Sequence, residues 1–443
     1  MKRVILLLTC ISLSVVLNAQ GPAKDYIPRS KAILDLLKAK EFGKVCEQFD
    51  TSVSRRLDST KLATVWMRMV GSIGPVQSVD SISTDHQTTY DVVIQHCVFE
   101  KKKIDFKLVY GSNEKIKGLF FLPVDKKMHY EIPPYDKPEL YEEKNVFVMN
   151  GDYKLPGILT LPKGTGKYPV LILIHGSGPN DKDESVGPTK IFRDIASGLA
   201  AQGIAVLRYD KRTRVAGPKI TSLMKTLTVK EETIEDAIAA IATVKSEIRI
   251  DTTHIYLLGH SLGGMLLPRI NSQVSGIKGL IYLAANSRPL EDLFYEQAQY
   301  ILALDGLSEK NNHTLDSIRT ESNRVKSLTP ANANDSGMIL RLPYTYWLDL
   351  KNYNPVKTAL KQKTPMFFLQ GGRDYQVTDV DLNGWKTGLK SKSNVLFKTY
   401  PKMNHFFVEG DEKSSPAEYS KVGNVASTVI DDLASWIQLG KIK

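Results

Sequence analysis

Residues 255–264 read Ile255-Tyr256-Leu257-Leu258-Gly259-His260-Ser261-Leu262-Gly263-Gly264, and this stretch decides the fold. Ile255 to Leu258 is a short apolar run, as in a strand covered on both faces. A helix is predicted over about 264–272, so the intervening Gly-x-Ser-x-Gly has to turn the chain within a few residues. In a turn that tight, side chains at 259 and 263 would clash with neighbouring backbone, which is why glycine stands at both. Ser261 is held there in a strained conformation, its hydroxyl lifted above the sheet edge. The N-terminus of the following helix favours negative charge beside it. Setting and spacing together mark Ser261 as a nucleophile.

A serine hydroxyl needs a base, and the base needs an acid to orient it. Downstream, an apolar run from Pro365 to Leu369 leads into Gln370-Gly371-Gly372-Arg373-Asp374. A second run, Asn394 to Tyr400, leads into Pro401-Lys402-Met403-Asn404-His405-Phe406-Phe407. Each places its titratable residue just past the end of a strand, where open α/β sheets build their sites. Asp374 is assigned as the acid and His405 as the base. Asp379 and Asp381 are the rival acids, set further from the strand end. His260 is read as a packing residue, and His254 and His313 as structural. Upstream, the apolar run Pro169 to Ile174 precedes His175-Gly176-Ser177-Gly178-Pro179-Asn180-Asp181. Its glycines let backbone N–H groups approach a substrate oxygen, so one oxyanion donor is expected from Ser177 and one from Leu262.

Around these motifs strand and helix patterns alternate, which predicts an α/β domain over 145–443 with a mostly parallel sheet covered on both faces. It opens on a hairpin, because Val146 to Met149 and Leu155 to Leu161 flank Asn150-Gly151-Asp152. Residues 287–360 read as a helical insertion. It is expected to cap the nucleophile, with Tyr344, Tyr346 and Trp347 lining the substrate pocket. Glu291, Asp292 and Glu296 at its start suit either a grip on a free amino group or a plain solvated helix turn. Residues 25–122 differ in texture: helical spacing over 28–70, then alternation from 76 onward, an α+β layout. Between the two, residues 123–144 carry Pro123, Pro133, Pro134 and Pro138 and read as an exposed linker.

The first residues stand apart. Lys2 and Arg3 precede an apolar run from Val4 to Leu17, which ends in Asn18-Ala19-Gln20. That run is too short to span a bilayer, so residues 1–19 are predicted to be a cleaved secretory signal, leaving a secreted or periplasmic chain with no stable membrane insertion. The net charge of +11 is spread over small scattered groups, and nothing resembles a nucleic-acid module. Cys46 and Cys97 suit one bridge or two packed thiols. No cluster has metal-ligand spacing. The oligomeric state is not written in the pattern.

Together Ser261, Asp374, His405 and the loop after Ile174 resemble the α/β-hydrolase superfamily over roughly 145–440. The stretch His175 to Glu184, with Arg208-Tyr209-Asp210-Lys211-Arg212, resembles bacterial carboxylesterases that carry an N-terminal accessory domain. It is also similar to serine aminopeptidases and prolyl-oligopeptidase-like hydrolases. The N-terminal layout resembles the small cone-shaped domain, related to the nuclear-transport-factor-like fold, that precedes some bacterial esterases. The resemblance implies a metal-independent hydrolase of short acyl esters with no cofactor and a small-molecule ester substrate, using a Ser-Asp-His triad. Peptide, amide or thioester hydrolysis by the same triad stays open. A non-catalytic binding protein is disfavoured by the intact triad residues. Asp210 and Arg212 are expected to pair beneath the site.

Overall fold

The computed structural model describes residues 25–442, apart from 88–89, 124–128, 217–219, 305, 307 and 332–336. The signal reading for 1–19 therefore lies outside the described residues. The chain divides into two compact units that separate between residues 123 and 129.

The N-terminal unit begins with α1 (Ile27–Lys38), α2 (Phe42–Cys46), α3 (Thr51–Ser54) and α4 (Ser59–Ile73). Asp58 starts α4 by accepting the Lys61 N–H, as an N-cap should. Four antiparallel strands follow in sequential order: β1 (Val76–Gln87), β2 (Tyr90–Phe99), β3 (Lys103–Gly111) and β4 (Ile116–Pro123). Alternate residues of β3 point inward, so Ile104, Phe106, Leu108 and Tyr110 join Leu37, Leu62 and Trp66 in one core. Cys46 and Cys97 are free thiols, and burial pushes the Cys97 thiol up to about 11.

The second unit is built on eight strands: β5 (Tyr141–Asn150), β6 (Tyr153–Pro162), β7 (Tyr168–Ile174), β8 (Ala205–Tyr209), β9 (Ile250–His260), β10 (Ile277–Leu283), β11 (Met366–Gly371) and β12 (Val395–Tyr400). Their spatial order is β12-β11-β10-β9-β7-β8-β6-β5. β5 and β6 form the expected hairpin, with Asn150 opposite Tyr153 across a two-residue turn and Gly151 at φ +55°. β6 also pairs antiparallel with β8, and every pairing from β8 to β12 is parallel.

Successive residues of the central strands serve opposite faces. Ile172, Ile174 and Leu257 pack with α6 (Glu235–Lys245) and α7 (Leu262–Asn271) on one side. Leu171, Leu173 and Leu258 pack with α5 (Ile191–Ala200) and α13 (Ser427–Leu439) on the other. Between β10 and β11 the insertion supplies α8 (Leu290–Leu304), α9 (Glu309–Ser327), α10 (Tyr344–Lys351) and α11 (Pro355–Leu360), while α12 (Asp379–Gly388) follows β11.

The expected linker is shorter than its prolines suggested. β4 extends to Pro123 and β5 starts at Tyr141. The Tyr135 hydroxyl donates to the Val425 carbonyl at 2.6 Å, and that of Tyr130 to Asp194 at 2.6 Å. Residues 129–140 are therefore a strap: most of them are exposed as expected, but the segment is fastened to the second unit by Tyr130 and Tyr135 rather than free of it. Aromatic anchors outweigh the proline signal.

Candidate active site

Ser261 lies where β9 meets α7, at φ +51°, ψ −118°. No L-residue rests comfortably there, and the turn is held by neighbours: the Ser261 N–H donates to the Leu283 carbonyl at 2.9 Å, and Ser261 accepts from the Met265 N–H at 3.0 Å. Glycine is required on both sides. A Cβ at Gly259 would lie 2.4 Å from the Gly263 backbone, and one at Gly263 would lie 2.4 Å from the Ile174 carbonyl oxygen. The serine itself stays half-exposed.

Asp374 and His405 stand beyond the ends of β11 and β12. His405 Nδ1 is 2.6 Å from Asp374 Oδ2, and both side chains are buried. The other oxygen, Oδ1, accepts the N–H groups of Gln376 at 2.7 Å and Val377 at 3.0 Å. The carboxylate is thus fixed from both sides, and it fixes the imidazole tautomer with Nδ1 protonated. Rival Asp381 is fully buried elsewhere, accepting the N–H groups of Ser287 and Arg288 and pairing with the Arg288 guanidinium at 2.9 Å. Asp379 lies exposed in the first turn of α12.

His260 does more than pack. Its Nε2 donates to the His405 carbonyl at 3.1 Å, and its Nδ1 lies 3.2 Å from Glu184 Oε1. Burial disfavours the imidazolium, but Glu184 outweighs it and holds the His260 pKa above its ordinary value. The Glu184 carboxyl, against the same burial, is held below its own. One imidazole ring thereby lies between the nucleophile turn, the base loop and the loop after β7.

That last loop is fixed from beneath by charged groups. Glu184 accepts the Gly176 N–H at 2.7 Å, and Glu232 accepts the Gly178 N–H at 3.0 Å. The buried Lys211 ammonium donates to the Gly176 carbonyl at 2.8 Å and to Glu232 at 2.8 Å. The Ser177 N–H has no protein partner among the described residues. A Cβ built on Gly176 would lie 3.3 Å from that of Ser261, so the loop abuts the nucleophile. His175 is turned inward, its Nε2 donating to the Asp181 carbonyl at 3.0 Å, and burial lowers its pKa to about 4. It is a neutral packing residue.

Residues 183–411, more than half of the chain, match the family described as serine aminopeptidase, S33. The chain belongs to the serine aminopeptidase S33 family. It is a serine hydrolase of the α/β-hydrolase fold, a reading that the strand order supports independently. Residues 30–119 match a protein family of unknown function, DUF3887. Esterase EstD of Thermotoga maritima is 37% identical over 401 residues, which cover 90% of this chain and 92% of that protein. Among solved structures, an esterase of Pyrococcus furiosus is similar at 17% identity and TM-score 0.41, over 62% of this chain and 88% of its own. Est1E of Butyrivibrio proteoclasticus is similar at 20% identity and TM-score 0.40, over 59% and 90%.

Other expectations for this S33 hydrolase are revised. Tyr346 and Trp347 are each 1% exposed: the Tyr346 hydroxyl donates to Glu232 at 2.6 Å and the Trp347 indole to the Ile339 carbonyl at 2.9 Å. Their polar atoms are bound inside the core, so neither forms the open pocket lining expected of it. Half-exposed Tyr344 accepts from Arg324 at 3.2 Å. The insertion meets the acid loop instead, where Tyr300 stacks on Tyr375 at 4.9 Å and Gln297 donates to the Gln376 carbonyl at 2.9 Å. Asp210 and Arg212 do not pair. Arg212 binds Asp236 at 3.0 Å, while Asp210 accepts the Lys182 N–H at 2.7 Å.

Glu184, Lys211 and Glu232 escaped the sequence reading. Glu184 and Lys211 lay inside the stretches that carried the resemblance. Glu232 lay outside every motif singled out.

In the N-terminal unit, His96 Nδ1 lies 2.7 Å from Asp105 Oδ1 and its Nε2 3.2 Å from Ser83 Oγ. Ser83 sits mid-strand without a positive φ. It lacks the strained turn that presents Ser261.

Proposed function

We propose that the protein hydrolyses carboxylic esters with short acyl groups through an acyl-enzyme on Ser261. His405 Nε2 takes the hydroxyl proton as Ser261 Oγ attacks the ester carbonyl. The N–H groups of Ser177 and Leu262 receive the tetrahedral oxyanion. Nε2 then returns the proton to the leaving alcohol, and a water activated by the same nitrogen releases the acid. Asp374 holds Nδ1 protonated throughout. The observation carrying this reading is the 2.6 Å Asp374–His405 contact, locked to the Ser261 turn through His260. The relative named as an esterase supports the substrate class.

Peptide hydrolysis has less support. Of the three acids at the insertion's start, Glu296 is paired with Arg288 at 2.6 Å and Asp292 with Lys326 at 2.6 Å, which leaves half-buried Glu291 as the single carboxylate of the three without an ion pair among the described residues. Hydrolysis of p-nitrophenyl acetate or butyrate is expected, with aminoacyl anilides slower. Ser261→Ala should lower turnover by about 10⁴-fold or more, and retention of a tenth of the rate would overturn the assignment. Chelators should leave the rate unchanged, because every proposed step uses side chains and backbone N–H groups. The mature protein is further proposed to begin near Gln20 and to act outside the cytoplasm, on the strength of the Lys2-Arg3 and apolar leader. Mass spectrometry from the native host, finding Met1 intact in the cytosol, would refute that.

A further inference from the structure

Five backbone groups of the 176–178 segment are anchored, three of them by buried charged side chains and the Ser177 and Gly178 carbonyls by Asn180. Glu184 takes the Gly176 N–H, Lys211 holds the Gly176 carbonyl, and Glu232 takes the Gly178 N–H. The Ser177 N–H alone is left over, and it belongs to the same peptide unit as the Gly176 carbonyl. No peptide bond here is cis. In a trans peptide the C=O and N–H point in opposite directions, so an anchor on one aims the other.

We propose that Lys211 is a positioning residue for catalysis: its ammonium, bound to the Gly176 carbonyl, aims and polarises the Ser177 N–H toward the oxyanion. A cation on the carbonyl oxygen draws charge through the amide and strengthens the N–H as a donor. Lys211 also donates its own backbone N–H to the Asn180 carbonyl at 3.1 Å, so the end of β8 and the loop are registered twice. Asn180 Nδ2 adds a second, longer bond to the Gly176 carbonyl at 3.2 Å. Glu232 balances the ammonium and is itself held by the Tyr346 hydroxyl at 2.6 Å. The pair is costly to bury and is often replaceable by apolar groups without loss of stability. Aiming the Ser177 N–H gives it a purpose.

The proposal rests on Ser261 being the nucleophile of an esterase, and the test separates the two. Wild type, Lys211→Met and the double variant Lys211→Met/Glu232→Gln are compared; the double variant removes the charges together and keeps an acceptor for Gly178. Folding is checked by circular dichroism and melting, and where the single variant fails to fold the double variant is read. Three quantities are followed: kcat and KM on p-nitrophenyl acetate, the rate of fluorophosphonate labelling at Ser261, and the affinity of a boronic acid that forms a tetrahedral adduct. One lost oxyanion donor costs about 10²–10³ in turnover, so a misaimed one should lower kcat about 30-fold or more. KM should move less than about threefold, and boronate affinity should fall in step with kcat/KM. A folded variant keeping more than a third of wild-type kcat and boronate affinity overturns the role of Lys211 and leaves the esterase reading intact. Wild type that neither hydrolyses the ester nor labels at Ser261 overturns both.

Discussion

Ser261 holds a backbone conformation that its own side chain disfavours, so the residues around it have to enforce the turn. Gly263 is the sharpest case, since a methyl there would meet two carbonyl oxygens, of Ile174 and His175, at 2.4 and 2.5 Å. Both are backbone atoms at and just past the end of core strand β7, and neither can give way as a flexible side chain would. Gly263→Ala should therefore cost several kcal/mol, of order 3 or more, while Gly166→Ala, with open space around it, should stay within about 0.5 kcal/mol. Urea unfolding of the two variants measures the difference, and equal midpoints would contradict the close approach. Asp374→Asn should keep the fold and lower turnover by about 10⁴-fold, because an amide no longer fixes the His405 tautomer. At this scale Ser261, Asp374 and His405 were legible because each stands at a strand end beside glycine or a strong apolar run. Glu184, Lys211 and Glu232 were not, since a charged residue in sequence does not announce that it will be buried against backbone.

Between elements, the two stretches that carried the resemblance turn out to be partners. Arg208 pairs with Asp183 at 2.9 Å, Asp210 accepts the Lys182 N–H, and Lys211 reaches Gly176 and Asn180. A motif spread over two separated segments records one ion-pair and hydrogen-bond interface that neither segment reveals alone. Helix α5 makes a comparable tie through Asp194, which accepts from the Tyr130 hydroxyl and from the Val425 N–H at 2.8 Å. Burial raises the pKa of this carboxyl to about 6 despite those bonds. The folded form therefore holds the proton more tightly than the unfolded chain, so its stabilising effect is complete below about pH 4 and is lost as pH rises through 6. The melting temperature of wild type minus that of Asp194→Asn should accordingly decline from pH 4 to pH 7 and level off above. A flat difference, or one that climbs, would remove Asp194 from the account. The proline-rich stretch before β5 misled the reading at this same scale, because tyrosine anchoring at 130 and 135 depends on surfaces distant in sequence.

For the molecule as a whole, the two units have separate cores. The N-terminal one gathers Trp66, Phe99, Phe106 and Phe121 between its helices and its sheet, with Phe106 stacked on Phe121 at 5.1 Å. Residues 25–123 expressed alone should therefore melt cooperatively, and residues 129–443 should turn over a small activated ester within tenfold of the full chain. Loss of fluorophosphonate labelling from a folded 129–443 fragment would mean that the N-terminal unit helps to build the site. Period and composition sufficed to separate the α+β segment from the α/β one, as hydrophobic repeat changes from one to the other. They gave no access to the cap's packing, because aromatic residues at helical spacing look alike whether they face a ligand or a core, and Tyr346 and Trp347 face the core. The His260 clamp has an outcome in populations. When His260 gives up its Nδ1 proton, Glu184 is left buried without its counter-ion and its tie to the nucleophile turn is lost, while the Nε2 bond to the His405 carbonyl remains. The competent fraction should then shrink while each remaining competent molecule reacts at an unchanged rate. In a rapid-mixing experiment at alkaline pH, the burst of p-nitrophenol should lose amplitude before it loses speed, and return in full on neutralisation.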